Sequence, residues 1–320
     1  MAIEHARSHA LPKPWGVVDL HPWSTARHDG DTIGEIWYER SGKADADPSL
    51  LLKLLFTSQP LSIQVHPDDA FAHAMGLPNG KSEVWYILSA EPEAKVALGM
   101  KRPMTSQQLR EAAEDGSVAN LIAWRAVSAG DVISVPAGTI HAIGAGLVIA
   151  EFQQRSDVTF RLFDHGRKRE LHIDSAMAVA NTGLADAQAQ PIRLTSERTL
   201  LVSGPHFVLE KIDLLPNSIW SLEAERETWL LVLSGGARTY AFDIAMGDGI
   251  FAQSDRIDIH TGAAGMTCLV ARPEGDEAPR LLQRLQSPNA IDPPPLEAQA
   301  PPLLTPAKTA PTNGRLETIK

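Results

Sequence analysis

An internal repeat constrains the fold of this chain more than any other feature. Glu83-Val84-Trp85-Tyr86-Ile87-Leu88-Ser89 is echoed by Glu227-Thr228-Trp229-Leu230-Leu231-Val232-Leu233-Ser234, and Gly130-Asp131-Val132-Ile133 by Gly247-Asp248-Gly249-Ile250. Short apolar runs closed by Gly, Pro, Asp or Asn read as strands, and a repeated pair of them predicts two related β units. The copies differ in length. Glu83 and Gly130 are 47 residues apart, Glu227 and Gly247 only 20, so the first copy holds 27 more. A helix over 105–114, rich in good helix formers and preceded by Pro103, fits that surplus. Helices are also expected over 68–75, with Asp68 and Asp69 capping the first turn, and over 171–180. Strand signals dominate the rest, so the chain reads as an all-β dominated protein with a few short helices.

The two copies also differ in their polar residues. Gln64 and His66 lie at i and i+2, which on a strand places both side chains on one face. Glu83 opens the first repeated strand. His141 follows Gly130 by eleven residues through Pro136 and Gly138. Two imidazoles, a carboxylate and an amide oxygen converging inside a barrel suit a borderline divalent metal such as zinc. In the second copy Asp258 occupies the eleventh position, no Pro-x-Gly precedes it and no Gln-x-His precedes Glu227. The first copy is expected to bind metal and the second is not.

Charge and cysteine content narrow the partners. Lys and Arg total 29 against 39 Asp and Glu, a formal charge of −10, which argues against a nucleic-acid or membrane-surface partner. The single cysteine, Cys268, cannot form an internal disulfide. The N-terminal stretch lacks an apolar signal core, and no run approaches the ~18 apolar residues of a membrane span. A cytoplasmic location is expected. From 286 to 320 the sequence turns Pro-, Ala- and Thr-rich with few large apolar residues, and reads as a disordered tail.

The ordered motifs PLSIQVHPDD, GKSEVWYILS, GDVISVPAGTIHAIG and QQRSDVTFRLFDHGR resemble class I mannose-6-phosphate isomerases of the cupin superfamily, and are most similar to the short bacterial form. The resemblance covers roughly residues 15–273. It implies two cupin-type double-stranded β-helix (jelly-roll) barrels: a catalytic domain over 1–185 with a helical insertion near 103–124, and a metal-free domain over 186–285. It implies one Zn²⁺ per chain on Gln64, His66, Glu83 and His141, and a small phosphosugar substrate held in a monomer or homodimer. By the same resemblance Lys53 and Ser62 would hold the substrate phosphate, while Arg161, Lys81 and Glu151 would line the catalytic cleft. Two departures stand out. Ser82 follows Lys81 where longer members have proline, and DHGRKRE replaces their lysine-bearing segment.

The residue types suit aldose–ketose chemistry. Interconverting mannose 6-phosphate and fructose 6-phosphate moves a proton between C1 and C2 through an enediol. A metal polarises the substrate oxygens, and cations such as Arg161 and Lys81 stabilise the developing charge. Glu151, Lys81 and a metal-bound water all remain open as the base. Two other functions stay in view: an iron-dependent cupin oxygenase, which Gln64 in place of a histidine disfavours, and a catalytically silent sugar-phosphate binder.

Overall fold

The structure is a computed structural model that describes residues 3–26, 30–41, 47–274 and 280–285. The tail expected over 286–320 lies outside them. Three sheets and four short helices make up the described residues, and contacts gather Met1–Gln286 into one compact unit. The strand-dominated architecture with few short helices agrees with the expected all-β class.

A six-stranded sheet runs in the order Arg7–Val17, Ile33–Glu39, Leu50–Thr57, Leu147–Gln154, Glu83–Ala90 and Val132–Val135. Facing it is a five-stranded sheet of Phe160–Phe163, Ile63–Val65, His141–Ile143, Lys95–Met100 and Ile122–Ala126. The strand Leu50–Thr57 is buried along its whole length, as a nearly unbroken apolar run demands when both faces are covered. Its alternate residues diverge. Leu50, Leu52, Leu54 and Phe56 join a core with Trp229, Leu231 and Phe251 of the second repeat, whereas Leu55 joins a separate core with Trp85, Ile87 and Ile149 inside the first unit. Lys53 shares the parity of Leu55 and therefore faces inward.

The third sheet has ten strands: Ile3–His5 and nine strands between Ile192 and Leu285. Its earliest strand, Ile3–His5, pairs antiparallel with Gly249–Ala252.

Three helices, α1 at Asp69–Ala74, α2 at Ser106–Glu114 and α4 at Ile173–Val179, fall close to their expected places, and the short α3 at Val118–Leu121 is additional. Thr105 and Gln108 form a reciprocal capping box that starts α2. At α1 only Asp68 caps, accepting from the Phe71 N–H at 2.8 Å. Asp69 was expected to share that task, but its carboxylate turns away from the helix and accepts the Gly80 N–H at 2.7 Å.

Candidate metal centre

Strand register assembles the site. His141 pairs with Gln64, and Gln64 in turn with Arg161, forming one cross-strand row on the five-stranded sheet. On the facing sheet Lys53, Glu151 and Trp85 form a second row, and Gln153 pairs with Glu83. His66 lies just beyond Ile63–Val65, and Gly138 ties that segment to the Pro-x-Gly turn by donating its N–H to the His66 carbonyl at 2.8 Å. Gly138 sits at φ +82°, a conformation that glycine adopts without steric cost. That explains its place in the motif.

His66, Glu83 and His141 are fully buried and present one ligand atom each within 4.8 Å of one another. His66 donates from Nδ1 to the Val158 carbonyl, and His141 from Nδ1 to the Thr139 carbonyl, both at 2.8 Å. A carbonyl only accepts, so each ring keeps its Nε2 lone pair for the centre. Burial pulls the His141 imidazole down to about 4. Burial, with the Lys81 charge second, holds His66 well below its ordinary value. Both rings are thus neutral donors near pH 7.

His66 Nε2 lies 3.7 Å from Glu83 Oε2, and His141 Nε2 lies 3.4 Å from Glu83 Oε1. Metal–N and metal–O bonds of about 2.0–2.2 Å in tetrahedral array put ligand atoms roughly 3.4 Å apart. His66 Nε2 and Glu83 Oε1 are buried without a hydrogen bond, a costly arrangement that a divalent cation resolves. The donor set therefore fits such an ion. Gln64 lies beside this set with its amide nitrogen 3.2 Å from His141 Nε2 and its Oε1 accepting from Ser62 Oγ at 2.9 Å, so its oxygen turns to the centre only when the amide is reversed end for end.

A charge cluster adjoins the ligands. Lys81 Nζ is 3.0 Å from Glu83 Oε2 and 3.9 Å from Glu151 Oε1. Burial opposes its charge, but Glu151, Glu83 and Asp157 together hold the ammonium above its ordinary value. Glu151 moves upward as well, through burial first and the Glu83 carboxylate second. Its Oε2 accepts from Trp85 Nε1 at 3.1 Å, leaving Oε1 toward the two lysines. Lys53 is only 2% exposed. Its ammonium lies 3.1 Å from Asp157, 3.8 Å from Glu151 and 4.2 Å above the Trp37 ring centre.

Arg161 is half-buried at the edge, its Nε donating to the Glu170 carbonyl at 3.0 Å. Asp164 binds Arg167 and Arg169. Sequence reasoning assigned Asp157, Trp85 and Trp37 no part in the site. Asp157 lies on a loop with no periodicity to mark it, and both tryptophans read as ordinary core residues.

No protein-family model matches the chain. A mannose-6-phosphate isomerase of Streptococcus mutans is 40% identical over 171 residues, 51% of this chain and 54% of that relative. Over that stretch this chain is similar to mannose-6-phosphate isomerases. It spans about half the length of the curated relatives it matches. The crystal structure of mannose 6-phosphate isomerase from Bacillus subtilis superposes with a TM-score of 0.75, covering 85% of this chain and 100% of that one at 22% identity. A mannose 6-phosphate isomerase solved with zinc and yttrium covers 86% of this chain and 100% of that one, at a TM-score of 0.66 and 14% identity. At such identities the likeness is one of fold. No helix among the described residues is long and apolar enough to cross a membrane.

Proposed function

We propose that this protein interconverts mannose 6-phosphate and fructose 6-phosphate as a zinc-dependent aldose–ketose isomerase. The observation that carries this reading is the buried His66, Glu83 and His141 set, with its orphaned ligand atoms beside Lys81 and Glu151. The names of its relatives supply the substrate. Gln64, His66, Glu83 and His141 would hold one zinc ion. When bound, zinc polarises substrate oxygens and lowers the cost of charge that develops on them.

The chain's own residues account for the rest. Glu151, raised by burial and with Oε1 facing the cluster, is the proposed carrier of the proton between C1 and C2. Lys81, held as a cation by two carboxylates, steadies the negative charge that develops as that proton leaves. Arg161 reaches the same face from the edge. Lys53 is the proposed anchor for the remote phosphate, whose binding fixes the reacting carbons. The single hydroxyl proton of Ser62 is committed to Gln64, so Ser62 joins the phosphate grip only when that amide turns end for end.

We place this chemistry in residues 1–185 and read 186–285 as a metal-free partner. A coupled assay for fructose 6-phosphate formed from mannose 6-phosphate, before and after chelation, tests the reading. Turnover that is lost with chelator and restored by zinc is expected. No turnover at full zinc occupancy overturns it.

A further inference from the structure

Asp69 lies in the first turn of α1, but its carboxylate serves a different segment. Its Oδ1 accepts the Gly80 N–H at 2.7 Å and the Gln154 side-chain amide at 2.9 Å. Gln154 relays the contact onward: its Oε1 accepts the Ser82 N–H at 2.9 Å, and its own N–H donates to the Ser82 carbonyl at 3.1 Å. Between those two anchors the Lys81 N–H donates to the Pro67 carbonyl at 2.9 Å. Every N–H of residues 80–82 is thus tied down.

The approach is close. A Cβ on Gly80 would sit 2.4 Å from the Asp68 carbonyl carbon. Glu83, directly after Ser82, is a proposed ligand, and the Lys81 ammonium lies 3.0 Å from it. From the other side, Asp69 Oδ2 faces Nδ1 of His206 at 3.8 Å, and His206 lies in the turn joining Arg198–Ser203 to Phe207–Leu214. Burial opposes the charge on Asp69, but the Gly80 and Gln154 hydrogen bonds and His206 hold its carboxyl below the ordinary value. The second repeat thereby touches the backing of the first repeat's site.

We infer that Asp69 is a positioning residue. Through Gln154 it fixes the backbone of residues 80–82, and so the placement of Lys81 and Glu83. Its effect on turnover rests on the isomerase reading; its effect on the backbone does not. The expected cost is that of losing an outer partner of a metal site, about 10–100-fold.

The test compares Asp69→Ala and Asp69→Asn in the full chain, reading zinc content, kcat and KM together with hydrogen exchange over residues 77–83. Asp69→Ala should speed exchange at Gly80 and Ser82 and lower kcat about 10–100-fold with KM little changed. Asp69→Asn, whose amide oxygen still accepts both hydrogen bonds, should restore most of the protection and of kcat. Unchanged exchange in Asp69→Ala overturns the inference, and so do equal losses in the two variants. Where Asp69→Ala does not fold, Gln154→Met removes the relay at similar volume and must reproduce the loss; if it does not, the clamp is wrong. A wild-type protein without isomerase activity would sink the functional reading, while the exchange data would still decide the clamp.

Discussion

His66 and His141 each give Nδ1 to a backbone carbonyl, and that pair of hydrogen bonds makes Nε2 the donor on both rings. For His141→Ala the expected outcome is loss of bound zinc and of turnover, read by metal analysis on a protein that remains folded. Glu151→Gln keeps the shape and the Trp85 contact but removes the titrating oxygen. It should lower kcat by about 10²–10⁴-fold with zinc retained, and unchanged kcat would move the proton to another group. Lys53→Ala should raise KM for the phosphorylated sugar by roughly tenfold or more, the scale of a lost charge-assisted hydrogen bond, with metal content intact. The candidate ligand residues were legible in sequence because Gln64-x-His66 and Pro136-x-Gly138-x₂-His141 carry their geometry in their spacing. Asp157 was not. It meets Lys53 across 104 residues, and only the register of Leu50–Thr57 against Leu147–Gln154 brings them together.

Helix α2 shows how far local chemistry reaches. Its capping box can be read from Thr105-x-x-Gln108, because each side chain satisfies the other's backbone N–H. Thr105→Ala should therefore cost about 1 kcal/mol without touching the kinetics, a difference a urea midpoint resolves. Gly138→Ala belongs to the same scale but should behave differently. The substitution forces a side chain into φ +82° and sets its Cβ 3.1 Å from the Val179 carbonyl oxygen. It should lose about 1–2 kcal/mol and shift His141, so that stability and zinc affinity fall together. Strand partners were harder to read than helices. The run LLLKLLFT states that both its faces are covered, but nothing within it names Leu147–Gln154 and Ile33–Glu39 as neighbours.

Across the whole molecule, one core joins the repeats. Leu52, Leu54 and Phe56 pack in the same cluster as Trp229, Leu231 and Phe251, and Glu227 accepts from the Ser49 and Leu50 backbone. This carboxylate aligns with Glu83 in the repeat, yet it fastens one half of the molecule to the other. Trp229→Ala, which removes a fully buried ring, should cost about 3–5 kcal/mol and lower the melting of both halves together, as calorimetry would show. The repeat announced two β units, and neither copy's sequence announced that shared face, since apolar alternation looks the same whichever surface it meets. Nor did it announce where Ile3–His5 docks. That strand is synthesised long before Gly249–Ala252 and finds its place only beside it. Through most of translation it has no partner, and the sheet it completes keeps an open edge. Such long-range pairing is slow to form and leaves an edge able to recruit another chain, so the order of synthesis itself makes this protein a candidate for chaperone contact while it is being made.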